Sequence, residues 1–300
     1  METTTFIQSI WLFNIALLLG FFAVPDLRRA FLTYGPRGTS PPGQRQSDSK
    51  AQEPKSLLDT IASVKVPHSW FLHFYVVSVL SSVLWLHQVC FRGPLYQAII
   101  SRTSLDRPSM SFNQLVLCWS LLTIHGARRT YESIVLVKSS RSKIGVGQYI
   151  IGILFYVTLG IAMWIEGAPA LSATQEPIGD ALISAPSLST MVFLPVFLLA
   201  SGIQHDAHCY LNSLKKYTLP SHPAFARIIA PHYTAEYAIY LAFTFLAAPE
   251  GRIVNNTLLT FLAFTVLNLG ITADASKNWY SKKFGAARME SRWRVLPGIW

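Results

Sequence analysis

The sequence predicts an all-α polytopic membrane protein of about seven transmembrane helices, and three observations carry that prediction. Of its 300 residues 51% are hydrophobic and only 13% are charged, whereas a soluble domain carries about 25% charged residues. Apolar runs approaching 20 residues recur along the chain, the length at which a helix crosses a bilayer. Lys and Arg alternate between rich and poor connecting segments, as loops on the two sides of a membrane do. Lipid leaves unpaired backbone groups unsatisfied, so such runs form helices. No segment reads as a strand. The whole chain, 1–300, reads as one membrane domain.

The first predicted span is 6–24. It has no basic residues before it and no small-residue cleavage site after it, so it reads as a helix rather than a removed signal peptide. The remaining spans fall at about 69–89, 112–137, 144–165, 188–204, 233–248 and 254–272. The fifth and sixth are short for a crossing and suggest tilted or polar-capped helices. Residues 25–68 form a cytosolic loop whose part 35–56, rich in Pro, Gly, Ser and charge, has a composition that favours disorder. "GVGQYIIG" at 145–152 lacks dinucleotide-fingerprint spacing, so its glycines read as packing points. "NNT" at 255–257 is a glycosylation sequon that abuts the last span and reads as a chance match.

Charge orients the helices. Segments 25–68, 138–143, 205–232 and 273–300 hold seven, three, three and six Lys and Arg, while 90–111 and 249–253 hold three and one and 166–187 holds none. The expected topology is therefore N-terminus lumenal and C-terminus cytosolic. The net charge of +10 belongs to this pattern and to an anionic cofactor, not to nucleic acid. The cysteines Cys90, Cys118 and Cys209 are scattered, with no CxxC pair, so neither a disulfide framework nor a metal site is expected.

Four polar clusters interrupt the apolar pattern. In "LLTIHGARRTYES", His125, Arg129 and Glu132 share one helix face and Arg128 lies beside them. Ionisable groups inside a membrane face the bundle interior and mark function. The competing reading, Arg snorkelling at a helix end, leaves Glu132 unexplained. In "ASGIQHDAHCYLNSLKK", Gln204 and His208 are spaced i, i+4, and His205 and His208 i, i+3. A metal site is the sharp alternative there, but the chain has eight histidines in all, and polar cofactor contacts or a plain helix end suit them better. In "PHYTAEYAIY", His232 and Glu236 are i, i+4, with Tyr233 between them, and a buried Glu236 calls for a donor such as Arg128 or Arg129. The tail "KNWYSKKFGAARMESRWRVLPGIW" is basic and aromatic, suited either to anionic lipid or to cofactor phosphates.

These motifs, in this order, resemble the steroid 5-alpha-reductase family and within it the polyprenol reductase branch. The resemblance is carried by "HGARRTYES", "PHYTAE", the tail ending "RWRVLPGIW", and "SWFLHFYVVSV" at 69–79, and it spans 69–300. It implies a seven-helix reductase of the endoplasmic reticulum membrane with NADPH in a cytosol-facing cavity and a polyprenoid lipid as substrate. Carried over, Arg128 and Arg129, Gln204, His208, His232, Glu236, Tyr280, Arg292 and Arg294 would contact the cofactor. His125, Tyr131, Glu132 and Tyr233 would serve the chemistry. Steroid-reducing members carry a tyrosine after the histidine, where this chain has Gly126. That favours the polyprenoid branch and leaves the donor to Tyr131, Tyr233 or His125. The expected reaction is NADPH-dependent reduction of the α-isoprene double bond of polyprenol or polyprenal on the route to dolichol. Hydride needs an electron-poor carbon, which the α,β-unsaturated aldehyde offers and the allylic alcohol does not, so the alternatives are the aldehyde reduced directly and the alcohol for which the branch is named. The rival readings are a prenylcysteine-type methyltransferase and a lipid-binding or transport protein without a cofactor.

Overall fold

In the computed structural model, residues 1–28, 32, 63–136, 142–173, 186–215 and 218–299 are described. The expected loop segment 35–56 lies outside them. Seven long helices occupy the described residues: α1 (Thr3–Ala23), α2 (Phe71–Cys90), α3 (Phe112–Val135), α4 (Val146–Ile165), α5 (Leu188–Ser213), α6 (Pro231–Leu246) and α7 (Asn256–Phe284). Their starts follow local chemistry. Ser111 and Gln114 close a capping box on α3, Ser187 accepts from the Thr190 amide on α5, and Pro231 opens α6. Asn255 caps α7 through the Leu258 amide and donates to the Ala247 carbonyl. The sequon asparagine is thus fully buried in a structural role.

Five helical segments, Thr3–Ala23, His68–Cys90, Val146–Ile165, Leu188–Ser213 and Asn256–Phe284, are long and apolar enough to cross a membrane. The other two long helices fall short of that measure. α3 carries Arg128, Arg129 and Glu132, and α6 has 16 residues. Two helices outrun their predicted spans: α5 continues to Ser213 and α7 to Phe284. Polar residues there extend the helix because other segments satisfy them: Glu132 of α3 meets His205 and His208, and Arg28 and the tail meet Asp274 and Lys277. The expectation that no strand forms needs correcting, since Lys65–Pro67 pairs antiparallel with Lys143–Gly145. Each strand is three residues long, too short to show alternation.

α5 packs most extensively on α6, α2 on α3 and α4, and α7 on α1 and α6. Trp11 of α1 anchors the core, fully buried against Phe155, Phe261 and Phe264 at 5.2, 5.1 and 4.8 Å between ring centroids. Its indole nitrogen donates to Thr158 at 3.1 Å, which satisfies the one polar atom that burial would penalise. Gly160 lets α2 approach α4, because a Cβ there would fall 2.0 Å from Ser81 Oγ.

The basic segments meet at one end of the bundle. Lys65–Pro67 and Lys143–Gly145 join the first and second of them. Ile228 bridges to Trp293, and Arg28 pairs with Asp274 at 2.7 Å. At the other end Thr3 donates to the Arg102 carbonyl, Met110 to that of Glu166 and Glu250 to that of Ser109. Successive long helices therefore run in alternating directions.

Candidate active site

The C-terminal half of α3 carries the site. Its helical spacing turns His125, Arg128, Arg129 and Glu132 toward α5, α6 and the start of α2. Glu132, 2% exposed, is the hub. One carboxylate oxygen accepts from Arg128 Nη1 at 2.5 Å and faces His205 Nδ1 at 2.8 Å. The other accepts from Arg129 and faces His208 Nδ1 at 2.7 Å. Glu132 is thus held by donors from two helices, which snorkelling arginines alone would not require.

A second layer links the hub to α2 and α6. Arg128 Nη2 donates to Gln204 Oε1 at 2.5 Å, and the Gln204 amide donates to Glu236. Arg129 Nη2 donates to the Tyr75 hydroxyl at 2.6 Å, with its guanidinium 4.6 Å from that ring's centre. Two guanidiniums are balanced by two carboxylates, so the array is formally neutral with its histidines uncharged. That neutrality makes burial of four ionised groups tolerable. His125, 1% exposed, faces Arg128 Nη2 through Nδ1 at 3.3 Å. Arginine only donates, so Nδ1 accepts and Nε2 carries the hydrogen. Nε2 lies 3.8 Å from Glu236 Oε1, beyond hydrogen-bonding reach, and has no hydrogen-bond partner among the described residues.

His125, Arg128, Arg129, Glu132, Gln204, His208 and Glu236 therefore converge. His232 sits at the margin, its ring 5.5 Å from that of His208 and its carbonyl 3.5 Å from the Gln204 amide. Tyr131 is not brought in, being 56% exposed. Tyr233 packs on His232, with 4.3 Å between rings, and against the small core of Ala230, Tyr237, Ala273 and Val295. Tyr280 lies near the end of α7 beside Trp279 and Phe284. Of the tail arginines, Arg294 belongs to a second array on Asp274, itself 6% exposed, and Arg292 lies beside it. Arg294 Nε donates to Asp274 at 2.6 Å, Arg28 at 2.7 Å and Asn278 at 3.1 Å. Arg292 donates to the Pro220 carbonyl at 3.3 Å and accepts from Lys277 through its own carbonyl at 2.5 Å.

Sequence reasoning missed four residues. His205 entered only as part of the rival metal reading, yet it faces Glu132. Tyr75 looked like one aromatic among many in "SWFLHFYVVSV". Asp274 is an acid in an apolar run, a signal overlooked because the seventh span was ended at 272. Arg28 follows the first span like any topogenic arginine.

Fold and site define a predominantly helical protein with membrane-length helices and a charge-balanced polar array between them. The chain belongs to the 3-oxo-5-alpha-steroid 4-dehydrogenase family, whose profile matches residues 148–300. Membership makes it an oxidoreductase, and the polyprenol reductase branch picked out by the motifs is matched by curated relatives. The polyprenal reductase of Caenorhabditis elegans is 26% identical over 83% of each chain. That of Saccharomyces cerevisiae is 26% identical over 76% of this chain and 73% of its own, and that of Homo sapiens 25% over 73% of each.

Proposed function

We propose that this protein reduces the α-isoprene double bond of polyprenal, using NADPH, on the route to dolichol in the endoplasmic reticulum membrane. The observation that carries the reading is the buried array of His125, Arg128, Arg129, Glu132, Gln204 and Glu236, in a chain similar to polyprenal reductases over 73–83% of its length. Seven crossings with a lumenal N-terminus agree with the two ends of the bundle. The basic segments gather at the end where α3 finishes and α6 begins, so the array opens to the cytosol, where NADPH is found.

The residues fit a nicotinamide. A carboxamide offers an NH2 that donates and a carbonyl oxygen that accepts. His125 Nε2–H and Glu236 Oε1, 3.8 Å apart, present the complementary pair inside the array. When bound, the reduced nicotinamide supplies a hydride. The chain supplies the rest. Glu236 and His125 hold the carboxamide and so fix the ring's orientation. Glu132 holds Arg128 and Arg129 as preorganised cations near the oxygen that gains charge. The packed helices around the array restrict water. Arg292, Arg294 and Lys277 would meet the phosphates from the tail side.

The test is a turnover assay on purified protein in detergent with NADPH, offering polyprenal and polyprenol separately. Uptake of a hydride and a proton by polyprenal is the expected result. Uptake by polyprenol alone would overturn the aldehyde route. No reduction of either by folded protein would overturn the function, and binding of S-adenosylmethionine in its place would point to the methyltransferase.

A further inference from the structure

We propose that the Tyr75 hydroxyl donates to the carbonyl oxygen of the substrate, an assignment that rests on the reduction of polyprenal argued above. Three observations meet on it. The first is packing. Gly126 leaves no room for a side chain, since a Cβ there would lie 2.9 Å from Ser78 Oγ and 3.3 Å from Val79 Cγ2. α2 occupies that space. Ser78 and Val79 stand three and four residues after Tyr75, on the same helical face. The contact that Gly126 permits therefore carries Tyr75 against the next turn of α3, where Arg129 projects.

The second is hydrogen-bond direction. Arg129 Nη2 donates to the Tyr75 oxygen at 2.6 Å. Arginine cannot accept, so the phenol hydrogen is not spent on this contact, and no acceptor for it is recorded among the described residues. A hydroxyl that accepts from a cation is polarised toward giving its own hydrogen. The third is elimination. Tyr131 is 56% exposed, and Tyr233 packs toward the tail. Of these three tyrosines, Tyr75 is the one whose hydroxyl is hydrogen-bonded to a residue of the array.

The step balances. A C–H bond forms at the β-carbon as hydride leaves the reduced nicotinamide, which is oxidised. The C=C pair shifts to the Cα–carbonyl bond, and the carbonyl pair moves to oxygen. That oxygen takes the Tyr75 proton, leaving a phenolate beside Arg129. Water then delivers one proton to Cα while the enol O–H breaks and returns its proton to the Tyr75 phenolate, leaving the saturated aldehyde and a Tyr75 ready for the next turnover.

Tyr75→Phe keeps the ring and removes only the donor. Two readouts test it. In cofactor-free protein, the carbonyl stretch of a bound short-chain isoprenoid enal should be lowered by the native enzyme and not by Tyr75→Phe. With NADPH, kcat on polyprenal should fall about 100- to 1,000-fold, while NADPH affinity changes far less and the protein remains folded with a modestly lowered melting temperature, because Arg129 loses one acceptor. If the native protein reduces polyprenal and Tyr75→Phe does so within about tenfold, with the same carbonyl shift, the assignment is overturned and the function stands. If the native protein reduces no polyprenal, the functional reading fails first.

Discussion

Replacing Glu132 by alanine should unfold this protein more readily than any surface change. The carboxylate is 2% exposed and is met by Arg128, Arg129, His205 and His208. Its removal leaves two guanidiniums facing one remaining carboxylate, Glu236. Breaking a buried pair by removing one partner costs about 3–5 kcal/mol, because the other charge is left uncompensated. A protein's whole stability is about 5–15 kcal/mol, so the loss is a large share. Urea or SDS titration of detergent-solubilised protein, followed by tryptophan fluorescence, measures it. Glu132→Gln keeps the shape and one acceptor oxygen and should fall between native and alanine. Adding Arg128→Met to Glu132→Ala removes the orphaned cation and should recover part of the loss. A loss below about 1 kcal/mol for Glu132→Ala, the worth of an exposed pair, would refute the account of the array as buried and charge-balanced.

Two further outcomes follow from the packing. Gly160→Val places a Cβ 2.0 Å from Ser81 Oγ and 3.1 Å from Trp85 Cδ1, so α2 and α4 must part at a cost of about 1–3 kcal/mol, read as a lowered melting temperature; a native melt would show that the contact yields freely. Asp274→Ala removes the acceptor shared by Arg28, Arg294 and Asn278, so trypsin should cut several-fold faster between Lys282 and Arg294; an unchanged rate would mean that the strand-like contacts of Trp293 with Arg227 and Ile229 hold the tail unaided.

The sequence disclosed the helices and one face of the site for different physical reasons. Apolar runs are set by the membrane and can be read without knowing any neighbour. The stripe on α3 was legible because i, i+4 and i+7 positions share a face whatever packs on it. Its partners were legible only where polar type broke the apolar background, as at Gln204, His208 and Glu236. Tyr75 was hidden because its polar atom ends an otherwise aromatic side chain, and only a structure shows which end meets a cation. The ends of α5 and α7 were misjudged because hydropathy marks where lipid stops, whereas a helix continues where the rest of the fold satisfies its side chains, as Glu132 does for α5 and Arg28 and the tail do for α7. The pairing of Lys65–Pro67 with Lys143–Gly145 joins segments far apart in sequence, and nothing local to either announces it.

The same distinction explains how so many charges sit at one place in a greasy chain. Arg128, Arg129, Glu132 and Glu236 come from two helices, α3 and α6, and neither supplies a neutral set alone. α3 brings one positive charge in excess, and α6 brings one negative. Each is costly in lipid by itself, and each becomes tolerable once the other is in place. Electrostatics therefore adds specificity to helix association that apolar packing lacks. The long contact of α5 with α6 positions Gln204 as the link, accepting from Arg128 and donating to Glu236. An array assembled this way is polar only in the folded bundle.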